Sequence, residues 1–116
     1  MSQPTRVLFV DDEEKLRVLW PAILSREGFE VEVASSVPEA LQLITGRKFD
    51  VLVSDLNLGQ PGDGFTVVSA MRRTQPHAVT LILTGYPAFQ AALRTIHEQV
   101  DDFLIKGTDP DLLVQS

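Results

Sequence analysis

Five apolar, β-branched runs alternate with amphipathic segments, which predicts an α/β domain: a parallel five-stranded sheet with helices on both faces, a three-layer sandwich. Three observations carry this expectation. The runs at 6–10, 51–55 and 79–83 are dominated by apolar residues, the pattern of strands covered on both faces. The segments between strands repeat apolar residues at helical spacing between start and stop signals. The connections are too short for anything but crossovers, which are right-handed in such sheets.

Taken in order, Arg6 to Val10 is the first strand and stops at Asp11-Asp12-Glu13-Glu14. Acids at 13 and 14 suit a first helical turn, where the positive end of the dipole favours them. Leu16, Leu19, Trp20, Ile23 and Leu24 then recur at helical spacing as far as Gly28, with Pro21 inside the pattern predicting a kink or local opening. Phe29 to Ala34 alternates apolar and polar residues, as a half-exposed, edge-ward strand does. Ser36-Val37-Pro38-Glu39 is a capping box, followed by Ala40, Leu41, Leu43 and Ile44 and stopped by Gly46.

Phe49 to Asp55 is the third strand. It ends on a carboxylate and passes into Leu-Asn-Leu-Gly-Gln-Pro-Gly-Asp-Gly, which is loop chemistry. A helix is expected from about Phe65 to Thr74, with Phe65, Val68 and Met71 on one face. Val79 to Leu83, read as an apolar run, is the fourth strand and ends at Thr84-Gly85. Pro87 starts a helix whose buried face is Phe89, Ala92, Leu93 and Ile96. Phe103-Leu104-Ile105 is a short fifth strand ending at Lys106. Asp109-Pro110 is expected to start a last helix cut short after about one turn, and on that pattern the chain is expected to be the front piece of something longer.

At 116 residues, with 44% apolar and 22% charged residues, the chain fits one globular domain spanning 1–116. No run approaches the roughly 20 apolar residues of a membrane helix. Val7 to Val10 is too short for a signal-peptide core. The absence of cysteine excludes a disulfide framework and a thiolate metal site, and with the missing signal core it favours the cytoplasm. A net charge of −6 argues against this domain gripping a phosphate backbone itself.

The functional signal lies at the carboxyl ends of the strands. Asp11 and Asp12 follow strand one, Asp55 strand three, Thr84 strand four and Lys106 strand five, and parallel strands bring all of them to one rim. Singly, each has an ordinary explanation: Asp55 as a strand terminator, Asp11 and Asp12 as capping acids, Thr84 as a turn residue, Lys106 as a solvated lysine. Jointly they do not, because carboxylates about 5 Å apart repel by on the order of 1–3 kcal/mol per pair. Such a cluster requires a cation, and all-oxygen ligands point to a hard one, with Mg²⁺ favoured over Ca²⁺ by the small number of carboxylates. Asp55 beside such an ion is a candidate nucleophile for phosphorus. The Thr84 hydroxyl and the Lys106 ammonium suit phosphoryl oxygens, and Gly85 leaves the backbone beside Thr84 open.

Val-Asp-Asp-Glu at 10–13, Val-Ser-Asp-Leu at 53–56, Leu-Thr-Gly-Tyr at 83–86 and Asp-Phe-Leu-Ile-Lys at 102–106 resemble the receiver domain of bacterial two-component response regulators, in order and spacing over essentially the whole chain. The resemblance implies a flavodoxin-like (βα)5 fold with strand order 2-1-3-4-5. It implies a histidine kinase or phosphotransfer protein as phosphodonor to Asp55, and a domain that catalyses only its own phosphorylation and dephosphorylation. It further implies Mg²⁺ held by Asp12, Asp55 and the backbone carbonyl of Asn57, with Asp11 holding a metal water. Thr84 and Phe103 match the switch pair, Lys106 the phosphate-pairing lysine, and Asn57 and Tyr86 the positions that tune phosphate lifetime. Phosphorylation would then bias the helix after Pro87 and the fifth strand, and so act on an output domain or downstream protein, with a homodimer on phosphorylation allowed for.

Two departures stand out. Gly107 replaces the family's usual proline after the lysine, which predicts a trans Lys106–Gly107 bond and a looser loop. Asp63-Gly64 comes one residue late, and the extra residue is expected to be absorbed in the turn without moving Asn57. Three other functions compete. A phosphatase with an Asp nucleophile would need a second acid two residues on, where Asn57 stands. A flavin or nucleotide binder would need a Gly- or Ser/Thr-rich phosphate loop in place of Asp11-Asp12-Glu13. A receiver-like adaptor that is never phosphorylated is opposed by the intact acid set and left open by Gly107.

Overall fold

A computed structural model of the chain describes residues 3–85 and 100–105. Within them run β1 (Arg6–Val10), α1 (Glu14–Arg26), β2 (Glu30–Ala34), α2 (Val37–Gly46), β3 (Val51–Asp55), α3 (Asp63–Thr74), β4 (Val79–Thr84) and β5 (Asp102–Ile105). The strands form one parallel sheet in the order β2-β1-β3-β4-β5. The helix expected after Pro87, the helix start at Asp109-Pro110, Tyr86, Lys106 and the Lys106–Gly107 bond all lie outside the described residues.

Alternation along the strands divides the core into two layers. Leu8, Val10, Leu52 and Ile82 pack with Ala40 and Ile44 of α2 and with Val67, Val68 and Met71 of α3. Val7, Phe9, Val53 and Leu83 pack with Trp20 and Leu24 of α1, where the Trp20 and Phe9 rings stack 5.5 Å apart. The buried strand side chains thus alternate between the two helical layers, as a period of two requires.

Helix α1 departs from the expected apolar face at one position. Trp20 and Leu24 are buried, but Leu19 is 45% exposed beside Val18 at 67%. Leu16, Trp20, Ile23 and Leu24 lie in one stripe at spacings of four, three and one, and Leu19 falls off its edge. Pro21 stands inside α1, which runs through it as a single helix from Glu14 to Arg26. At the start of α2, Ser36 Oγ accepts from the Glu39 N–H at 3.4 Å. The Glu39 carboxylate closes the box one residue early, accepting from the Ser35 N–H at 2.9 Å.

The run read as apolar in β4 contains a fully buried Thr80. Its N–H donates to Asp101 Oδ2 at 2.7 Å, and the Asp101 N–H returns to the Thr80 carbonyl at 2.8 Å. Arg72 of α3 donates to Thr80 Oγ1, to Asp101 Oδ2, and to the carbonyls of Pro76 and Ala78. One carboxylate therefore ties α3, the start of β4 and the start of β5. Asp101→Ala leaves a buried N–H and a half-buried guanidinium short of an acceptor. Because the carboxylate is partly exposed, we expect a loss of about 1–3 kcal/mol in urea unfolding. A loss under about 0.5 kcal/mol would show that the tie contributes little.

Candidate functional site

The register sets the rim. Val10 pairs with Ala34 and Ser54, Asp55 with Leu83, and Thr84 with Ile105, so β1, β3, β4 and β5 end side by side. Asp11 extends β1 by one more ladder bond, its N–H donating to the Ala34 carbonyl at 3.1 Å. It is fully buried, and its Oδ1 accepts from the Glu13 N–H at 2.9 Å. Arg17 reaches back from α1 and donates from Nη1 to the Asp11 carbonyl at 2.9 Å. Asp12 beside it is exposed. Asp55, 5% exposed, closes β3. Carboxylate oxygens of Asp11, Asp12 and Asp55 all lie within 4.8 Å of one another.

Two buried carboxylates and one exposed carboxylate at that separation form a concentrated negative site, with Coulomb repulsion that a divalent ion would neutralise. The donors are all hard oxygens, and the exposed Asp12 leaves a side open to water, so the residues present fit an ion such as Mg²⁺ that keeps part of its hydration.

The loop after β3 is closed on itself. Asn57 Oδ1 accepts from the Gly62 N–H at 3.0 Å, and Asp63 Oδ2 accepts from the Gln60 N–H at 3.0 Å. The Asp63 carboxylate is thus engaged inside the loop, as is the side-chain oxygen of Asn57. Gly62, with φ +83°, turns the chain into α3, a conformation that disfavours other residues. The loop ends where the Gly64 N–H donates to the Leu56 carbonyl at 2.8 Å. A Cβ at Gly64 would run into the carbonyl oxygen of Asp55, with Leu56 Cα at 3.0 Å and the Asp55 carbonyl carbon at 3.1 Å. The Ser54 hydroxyl donates to that same Asp55 carbonyl at 3.0 Å.

Thr84 is 2% exposed at the end of β4, one step beyond the residue that pairs with Asp55. Phe103 of β5 is 4% exposed and belongs to the core layer that includes Ile82 and Val100. The structure therefore brings Asp11, Asp12 and Asp55 together, sets Thr84 on the adjoining strand, and seats Phe103 inward. Lys106 and Tyr86 fall outside what it describes.

Sequence reasoning missed Gly64 and Arg17. The first left no signal beyond its place in the loop, since a close approach depends on how α3 packs over β3. The second did leave one, because a cation near a helix N-terminus runs against the dipole and calls for a local acceptor.

Comparison with known proteins places this geometry. The family model of the response regulator receiver domain matches residues 7–116. The chain is 32% identical over 114 residues to the transcriptional regulatory protein GlrR of Escherichia coli, covering 98% of this chain and 26% of GlrR. It spans about a quarter of the length of GlrR and of the alginate biosynthesis regulator AlgB of Pseudomonas aeruginosa. The chemotaxis response regulator CheY4 of Vibrio cholerae superposes with a TM-score of 0.83 at 29% identity, over 97% of this chain and 95% of that one. The response regulator protein TrrA of Thermotoga maritima, solved in complex with Mg(2+)-BeF, gives 0.81 at 26% identity, over 96% and 94%.

Proposed function

The chain belongs to the response regulator receiver domain family, and from that premise we propose that Asp55 is the residue on which it accepts a phosphoryl group. The observation that carries the assignment is the convergence of the Asp11, Asp12 and Asp55 carboxylates within 4.8 Å at the carboxyl ends of β1 and β3. Of the three, Asp55 ends the central strand and has its backbone fixed by Ser54 and by the close approach of Gly64.

A divalent ion held by Asp11, Asp12, Asp55 and the Asn57 backbone carbonyl would supply charge neutralisation for the phosphoryl oxygens. In the transfer, an Asp55 carboxylate oxygen forms a bond to phosphorus as the P–N bond of a phosphohistidine breaks. The bonding pair returns to the imidazole nitrogen, which takes a proton. Thr84 offers its hydroxyl to a phosphoryl oxygen, and Lys106 its ammonium to another. Hydrolysis reverses the state: water attacks phosphorus, and the carboxylate leaves. The domain carries no other chemistry on this reading.

The donor is a sensor histidine kinase or a phosphotransfer protein, and the domain works in the cytoplasm. No helix among the described residues is long and apolar enough to cross a membrane. With a net charge of −6, this domain makes no nucleic-acid contact of its own. Phosphorylation draws Thr84 toward the new oxygens and, with Phe103 seated inward, favours one arrangement of β5 and of the segment that precedes it in the chain. An output domain, a downstream protein or a second copy of the chain reads that surface. Asn57 and Tyr86 tune the lifetime of the phosphate.

Incubation with Mg²⁺ and acetyl phosphate, followed by intact mass measurement, is expected to show one added phosphoryl group, and none when EDTA replaces Mg²⁺. A chain that binds Mg²⁺ yet gains no mass from acetyl phosphate or from a phosphorylated histidine kinase would overturn the acceptor reading.

A further inference from the structure

Asp11 ends β1 inside the protein, so its backbone carbonyl is a buried acceptor at the point where the strand ladder runs out. Arg17 supplies the donor, from Nη1 at 2.9 Å. Its location needs explaining: it is half-buried early in α1 (Glu14–Arg26), where the helix dipole disfavours a cation. The start of that helix has no side-chain cap from Glu13. Instead the Glu13 N–H donates to the Asp11 carboxylate, and the Arg17 N–H donates to the Glu13 carbonyl at 3.2 Å. Asp11, Glu13 and Arg17 thus form a closed ring of bonds with Asp12 inside its span. The turn that presents both acids is held between the Ala34 carbonyl on one side and the Arg17 guanidinium on the other.

We propose that Arg17 is a positioning residue for the acid cluster: by capping the Asp11 carbonyl it fixes the turn from which Asp11 and Asp12 reach a divalent cation, so cation affinity depends on it. The inference rests on the metal-assisted reading of the site. Two effects of Arg17 oppose each other, which makes the sign of the outcome decisive. Its positive charge near the cluster repels a cation, so removing it would tighten binding if charge were its only contribution. Its hydrogen bond pre-organises the ligands, and losing such a supporting contact typically weakens metal affinity about 10–100-fold.

The test reads Mg²⁺ affinity without phosphorylation. Thermal midpoints are followed as Mg²⁺ is raised, since a ligand that binds only the folded state stabilises it in proportion to RT ln(1 + [L]/Kd). The fluorescence of Trp20 gives a second titration, because it is the only tryptophan and its ring stacks on Phe9 of β1. Arg17→Gln is expected to raise the Mg²⁺ dissociation constant about 10-fold or more, and Arg17→Lys, which keeps the charge and one donor, to recover part of that. An Arg17→Gln affinity equal to or tighter than wild type would overturn the proposal, whatever happens to the metal-free midpoint. If Arg17→Gln does not fold, Arg17→Met decides: it keeps the length of the side chain and loses every donor, and an unchanged or tighter dissociation constant would sink the idea. A wild-type chain with no Mg²⁺-dependent midpoint would instead refute the metal reading beneath it.

Discussion

Asp55→Asn, incubated with Mg²⁺ and acetyl phosphate, gains no phosphoryl mass, and its response to Mg²⁺ shrinks. The first effect is all-or-none, because an amide oxygen lacks the anionic character that lets a carboxylate oxygen attack phosphorus. The second follows from the donor set. Three carboxylates converge within 4.8 Å, and the substitution removes one full charge and one strong oxygen ligand while keeping the shape of the side chain. A ligand present at a hundred times its dissociation constant stabilises the folded state by about 2.7 kcal/mol. At the Mg²⁺ concentration that does this for wild type, the variant should gain little, and the gap between its melts in Mg²⁺ and in EDTA should nearly close. An adduct that persists at full stoichiometry in Asp55→Asn would move the acceptor elsewhere. A full Mg²⁺ response in the variant would remove Asp55 from the ligand set.

Gly64→Ala is expected to damage the fold and the site together, although it adds a single methyl group. The new Cβ would meet the backbone carbonyl of Asp55 and the Cα of Leu56, neither of which can swing aside as a side-chain tip could. Relief requires lifting the start of α3 (Asp63–Thr74) off β3 (Val51–Asp55) or bending the end of β3. Either movement stretches the bond from the Gly64 N–H to the Leu56 carbonyl. Overpacking of this kind costs about 1–3 kcal/mol and more where backbone is involved, a large part of the roughly 5–15 kcal/mol that holds a domain together. Because the atom struck is Asp55's own carbonyl, the phosphorylation rate should fall as well, by about 100-fold for a displacement near 1 Å. Gly46→Ala is the control: nothing lies within 4 Å of a Cβ there, and stability should hold or rise slightly. Wild-type stability and rate in Gly64→Ala would show that the contact is soft.

The order of elements and the acid rim were legible in the sequence because each rests on local patterning. Apolar runs of strand length, helical repeats and the Ser36–Glu39 box fix where elements lie. Parallel topology then forces Asp11, Asp12 and Asp55 to a common edge without knowledge of packing. What could not be read depends on partners far along the chain. Thr80 passed as part of an apolar run because its neighbours Leu81 to Leu83 dominate, while the residues that make it tolerable in the interior are Arg72 on a helix and Asp101 at the start of another strand. Leu19 looked like a core residue because spacing places an apolar face only to within a side chain or so, and the width of the neighbouring sheet decides which edge residues it covers. Gly64 was visible as a turn residue. Its closeness to Asp55 was not, since that is set by how far α3 sinks toward the sheet.

The outer strand β2 (Glu30–Ala34) has a bearing on how the domain behaves in a crowd. A strand at the side of a sheet has hydrogen-bonding groups with no neighbour on one side, and another chain can join there and extend the sheet. Here Glu30 and Glu32 alternate along that strand, with Arg6 paired to Glu30 at 3.7 Å and Arg47 paired to Glu32. An incoming strand would have to strip water from these charges before its own backbone could pair. Copies of the domain can therefore crowd together without joining their sheets along β2.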